Sequence, residues 1–221
     1  MLFKINGERN SGTNFLDRLL RINDFPTYVH EYKNNICYYW KHGIPDETIK
    51  NKNERVIDIF IFRNLNSWLV SFWKNPYHLK SINEYELFLT EKQVSKESNI
   101  FDFRNNLFLN EDDNNKTIFD IRYYKYNKIV DYKNKNKDIV FVNLDFIQNK
   151  DNAHLFLKAL NEMYIKDERI NYITEVKKHT KSNEEIKNRS YSLIDDNTNI
   201  INTYKDNEIE TFIYNLKFEI Y

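Results

Sequence analysis

Residues 2–22, LFKINGERNSGTNFLDRLLRI, hold the reading that decides the fold. Residues 2–6 form a short apolar run that ends at Gly7, and Phe15, Leu16, Leu19, Leu20 and Ile22 then recur at helical spacing. The pattern predicts strand, loop, helix, with the loop at residues 7–14. Such a turn aims backbone N–H groups and the positive end of the helix dipole at one spot, which suits a phosphate. Two of the three glycines in the chain, Gly7 and Gly12, fall here, where close approach of the backbone is needed, so an ordinary capped turn explains the loop less well. Ser11, Thr13 and Asn14 add hydroxyl and amide donors. Arg9 adds a permanent cation able to bind an oxyanion with two bonds.

Moving outward from this unit, residues 55–62 (RVIDIFIF) are the strongest strand signal, continuous enough for the centre of a parallel sheet covered on both faces. Residues 65–73 follow with Leu65, Trp68, Leu69 and Phe72 on one helical stripe, so Trp68 and Phe72 are expected in the core. Between the two units, residues 35–41 (NICYYWK) read as a second strand and residues 46–51 as a short helix. Further on, residues 82–89, 118–132, 153–164 and 208–212 read as helices, residues 138–144 as another buried strand, and residues 216–221 as an edge strand. Residues 92–116 are polar and irregular, and residues 177–188 form a basic loop. Strands alternating with helices predict a three-layer α/β domain, one unit spanning residues 1–221.

Composition sets bounds on function. A hydrophobic content of 41% with 16% aromatics supports a packed core despite 30% charged residues. Lys plus Arg equals Asp plus Glu at 33 each, so the chain lacks the basic excess of a nucleic-acid binder, although a small anionic ligand needs only a local cluster. Cys37 stands alone, which rules out an intrachain disulfide and a cysteine metal site. Charged residues come too early for a signal peptide and no apolar run is long enough to span a bilayer, so the expectation is a cytoplasmic protein without a membrane partner. Few Gly and Pro beside abundant Asn, Lys and Ile reflect the bias of an AT-rich genome.

The loop is not that of a nucleoside-triphosphate hydrolase. Those require Lys-Ser or Lys-Thr after the last glycine, and here Thr13-Asn14 follow Gly12. Instead, residues 7–16 (GERNSGTNFL) resemble the phosphosulfate-binding loop of sulfotransferases that use 3′-phosphoadenosine 5′-phosphosulfate (PAPS). Family members usually carry a basic residue directly before Ser-Gly-Thr. Asn10 holds that position here and Arg9 precedes it, leaving Arg9 and the backbone amides as alternative carriers of the sulfate charge. Residues 63–72 (RNLNSWLVSF) are similar to the family segment in which an Arg at a strand end and a Ser eight residues later grip the 3′-phosphate, here Arg63 and Ser71. Residues 40–45 (WKHGIP) and 76–78 (PYH) resemble bacterial and viral sulfotransferase-like proteins, with the likeness covering most of the chain and strongest over residues 3–78.

The resemblance implies a P-loop-like three-layer fold with a central, mostly parallel sheet flanked by helices. It implies metal-independent transfer of a sulfuryl group from PAPS to a hydroxyl or amine of a small molecule or glycan, releasing PAP. His42 is the implied general base and Lys41 the cation against the bridging oxygen. Both can share a site only if the strand has ended by then, since neighbours on a strand face opposite ways. His78 and Glu8 are rival bases, and Glu8 beside a phosphosulfate needs a salt bridge, for which Arg9 is at hand. In the late basic stretch Lys181 and Arg189 are the candidates for closing over the nucleotide, with a solvated charged surface as the alternative. A nucleotide kinase or phosphotransferase on a related loop, and a non-catalytic PAP-binding module, are the competing functions.

Overall fold

The computed structural model describes residues 1–28, 32–33, 36–37, 41–43, 45, 55–74, 84–90, 117–168, 171–176, 198–205 and 207–221. Its centre is a five-stranded sheet in the order β2-β1-β5-β6-β7. The strands are β1 (Leu2–Gly7), β2 (Thr27–Tyr28), β5 (Val56–Phe62), β6 (Ile139–Asn143) and β7 (Phe218–Ile220). The first four run parallel, and β7 closes one edge antiparallel to β6.

Both faces of the sheet are covered, which is why β1, β5 and β6 read as near-continuous apolar runs. On one face Phe3, Ile5, Ile57, Ile59, Ile61, Val140 and Val142 pack against α1 (Thr13–Arg21) and α6 (Lys150–Leu160). On the other, Phe60, Phe62, Ile139 and Phe141 meet α4 (Ile118–Lys135) and α8 (Glu208–Asn215). That layer is extended by α2 (Leu65–Lys74), α3 (Tyr85–Thr90) and α7 (Thr198–Lys205), whose core holds Trp68, Phe72, Trp73, Phe88, Phe119 and Ile201. The result is the expected three-layer α/β arrangement. A short helix α5 (Leu144–Ile147) links β6 to α6, and α6 runs into a π-helical turn, Asn161–Ile165. The helix expected over residues 153–164 takes in most of the π-helical turn, whereas α5 and α7 carried no clear sequence signal.

Polar residues are buried where the sheet can satisfy them. Asp58 accepts from the Tyr132 hydroxyl at 2.8 Å and from Asn6 Nδ2 at 3.3 Å, and Lys4 lies opposite it in the strand register.

Of residues 35–41, which read as a second strand, residues 36, 37 and 41 are among the described ones. The only strand described there is β4 (Ile36–Cys37), which pairs antiparallel with β3 (Tyr32–Lys33) in a separate two-stranded sheet. The place beside β1 belongs to β2, which follows α1 after a tight return with Asp24 at φ 60° and Phe3 N–H bonded to Pro26 O. Aromatic and β-branched content signals extended backbone without naming its partner. Residues 46–51, 92–116 and 177–188 lie outside the described residues.

The topology positions a site. After β1 the chain returns on one side as β2, and β5 lies on the other side of β1. The segments leaving Gly7, Phe62 and Asn143 emerge at the same carboxyl edge of the sheet, with the reversal of strand order between β1 and β5. Open α/β sheets hold ligands at such a point. Among the described residues no helix is long and apolar enough to cross a membrane.

Candidate functional site

The loop leaving β1 is built by close contacts. A Cβ on Gly7 would lie 2.5 Å from Ser11 Oγ and 2.6 Å from the Ile61 carbonyl, so only glycine lets the chain pass. Ser11 folds back on Glu8, donating from its N–H at 3.1 Å and from Oγ at 2.7 Å to the Glu8 carbonyl. Asn10 at φ 63° and Gly12 at φ 101° turn the backbone left-handed. Gly12 is then the N-cap of α1, with no side-chain cap and no acidic residue in the first turn. A Cβ there would also strike Leu144 Cδ2 at 2.6 Å. The loop thus presents main-chain donors rather than side-chain acceptors at the start of α1, where Thr13 is buried and Asn14 exposed.

Arg63 approaches this loop from the end of β5. Its Nη1 donates to the Asn10 carbonyl at 3.1 Å, and its Nε lies 3.8 Å from Asp145 Oδ1. Burial lowers the pKa of its guanidinium, opposed by the Asp145 charge. Asp145 is fixed by the Asn64 N–H at 2.9 Å and the Ser67 hydroxyl at 2.7 Å. Ser71 stands one helical turn beyond Ser67 on the same stripe of α2, half-buried.

Lys41 and His42 arrive in a turn rather than on a strand, which lets both face the loop. The Gly7 N–H donates to the Lys41 carbonyl at 2.8 Å, and His42 Nδ1 lies 2.7 Å from the Gly7 carbonyl. Because a carbonyl can only accept, Nδ1 carries the proton and Nε2 the lone pair. Burial holds the imidazole well below its ordinary pKa, helped by Lys41, Arg9 and Lys125 and opposed by the Gly7 bond. Lys41 Nζ donates to Asn14 Oδ1 at 2.8 Å; its own pKa is lowered by burial, with Asp17 opposing and Arg9 adding to the effect.

Glu8 does not pair with Arg9, as its neighbourhood in sequence suggested. Its partner is Arg122, whose Nη1 donates to Glu8 Oε2 at 3.1 Å. Arg9 instead accepts on its carbonyl from Trp68 Nε1 at 2.9 Å. Lys125, one turn along α4 from Arg122, donates to the His42 carbonyl at 3.0 Å. Arg122, Lys125 and Asp145 were all missed. A signal for the first two existed: Ile118, Arg122, Lys125, Ile129 and Tyr132 fall on one stripe of α4, so two cations interrupt an otherwise apolar face.

The structure therefore gathers Arg9, Asn10, Ser11, Gly12, Thr13, Asn14, Lys41, His42 and Arg63 around one loop. His78, Lys181 and Arg189 lie outside the described residues. Comparison of the chain with protein-family models, curated proteins and solved structures finds no match.

Proposed function

We propose that the chain is a sulfotransferase that moves the sulfuryl group of PAPS to a hydroxyl or amine acceptor, with a glycan as the first acceptor class to try. The observation that carries this reading is the convergence on one glycine loop of His42, Lys41 and Arg63, delivered by separate segments at the carboxyl edge of the sheet. The loop amides and Arg9 suit a sulfate and its adjoining phosphate. His42 Nε2, in a ring that burial keeps neutral, can take the acceptor proton as the acceptor oxygen attacks sulfur. The bond from sulfur to the bridging oxygen breaks, and Lys41 meets the charge left on PAP. Arg63 with Ser71 is the proposed 3′-phosphate grip, and Lys181 with Arg189 the proposed cover over the nucleotide.

The test compares nucleotides on the purified chain. PAP should bind at least about tenfold tighter than AMP, the value of one charge-assisted hydrogen bond. PAPS labelled in its sulfuryl group should pass the label to a member of a hydroxyl and amine acceptor set. Equal affinity for PAP and AMP overturns the nucleotide assignment, and PAP preference without transfer to any acceptor leaves a binding module.

A further inference from the structure

Arg122 is 3% exposed, and each nitrogen of its guanidinium is engaged. Nε and Nη2 clasp Glu210 at 2.6 and 2.9 Å, Nη2 also donates to the Arg63 carbonyl at 2.8 Å, and Nη1 reaches Glu8 at 3.1 Å. Its Cζ lies 4.7 Å from the centre of the Trp68 ring, the ring whose N–H holds the Arg9 carbonyl. One buried cation thus serves two carboxylates, and one of them belongs to the loop that the proposed function assigns to an anion. The charged groups facing Glu8 are Arg122 and Lys125 of α4 and Glu210 of α8.

We infer that Arg122 is the positioning residue of this loop: through Glu8 it cancels a carboxylate built into the anion site, and through the Arg63 carbonyl and Trp68 it fixes the two flanks of the loop. It touches no ligand itself. The inference rests on reading residues 7–14 as an anion site. An ionised Glu8 without Arg122 stands as a like charge beside the bound anion, so the carboxylate must take a proton or the anion is repelled. Burial raises the Glu8 pKa, and Arg122 and Lys125 oppose that rise.

The experiment uses inorganic sulfate, which keeps its charge across the pH range, and PAP and AMP alongside it. Affinities are measured by calorimetry on the wild-type chain, Arg122→Met, Glu8→Gln and the double variant, each relative to wild type at the same pH. Arg122→Met should bind sulfate at least about tenfold more weakly at about pH 8.5 and recover most of that loss at about pH 5.5, as Glu8 becomes protonated. The double variant should return to within about threefold of wild type at both pH values, a coupling that a merely structural loss does not produce. Glu8→Gln, which keeps the size of the side chain, should bind sulfate as well as wild type or tighter, and it decides the matter even where Arg122→Met fails to fold.

A loss in Arg122→Met that is the same at both pH values and persists in the double variant overturns the inference. So does a loss of about tenfold or more in Glu8→Gln, which would make the carboxylate itself a ligand. A wild-type chain that binds sulfate but holds PAP no tighter than AMP removes the PAPS reading alone, and the sulfate ratios among variants still decide the role of Arg122. Binding of neither sulfate nor PAP overturns both.

Discussion

At His42 the Gly7 carbonyl, 2.7 Å from Nδ1, settles which nitrogen keeps the lone pair, while burial beside Lys41, Arg9 and Lys125 disfavours the imidazolium. Two consequences can be measured on His42→Gln. Turnover should fall about a hundredfold or more, the usual contribution of a positioned base, with PAP affinity within about threefold of wild type. Retained turnover would move the base to His78 or Glu8. The second consequence concerns acid stability. In the unfolded chain the ring titrates near about 6.5, and in the folded chain lower, so between those values the unfolded state binds more protons. Wild-type stability should therefore decline as pH falls from about 6.5, and the variant should decline less over the same interval. Parallel melting temperatures for the two proteins across that range would remove the buried-imidazole argument. Gly7 and Arg63 were legible in the sequence because they stand at the ends of readable strands, β1 and β5. The Glu8 partner was not legible, because Arg122 is 114 positions away and adjacency had pointed to Arg9.

Among the elements, α4 brings Arg122 to Glu8, Lys125 to the His42 carbonyl and Tyr132 to Asp58 from one of its faces. Its start is a capping box: Thr117 Oγ1 accepts from the Asp120 N–H at 3.3 Å, and Asp120 Oδ2 accepts from the Thr117 N–H at 2.8 Å. Thr117→Ala should cost about 1 kcal/mol, which for a chain of this size lowers the melting temperature by roughly 2–4 °C. Sulfate affinity should stay within about twofold, because Arg122 lies more than a turn inside the helix and is held from α8. A loss of affinity larger than the loss of stability would mean that fraying of the first turn reaches Arg122. Strands β5 and β6 were readable because both of their faces are buried, which leaves a continuous apolar run. Strand β2 was not, since two residues are too few for any period, and its pairing depends on where α1 releases the chain. The short α5 hides behind Asn143, whose Oδ1 caps it through the Asp145 N–H at 2.8 Å while Nδ2 serves Asn64 and the Ile213 carbonyl.

For the whole molecule, a ligand at the reversal of strand order ties β1, β5 and the helices of both layers together, so binding should be visible as global stability. At a hundred times its dissociation constant PAP should add about 2.7 kcal/mol, a rise of roughly 5–10 °C in melting temperature. AMP at the same concentration should add less, and equal shifts would argue against a 3′-phosphate site. The layer order was legible from alternating patterns alone, whereas the strand order was not, because apolar runs buried on both faces do not name their neighbours. The link from Glu8 through Arg122 to Glu210 bears on how the protein is made. Domains generally fold as units as they leave the ribosome. Residues 7–14 emerge early, their neutralising cation comes with residue 122, and the carboxylate that clamps that cation comes only with residue 210. Because a domain folds as a unit, the ion pairing behind the glycine loop is complete only once the chain has been made as far as residue 210.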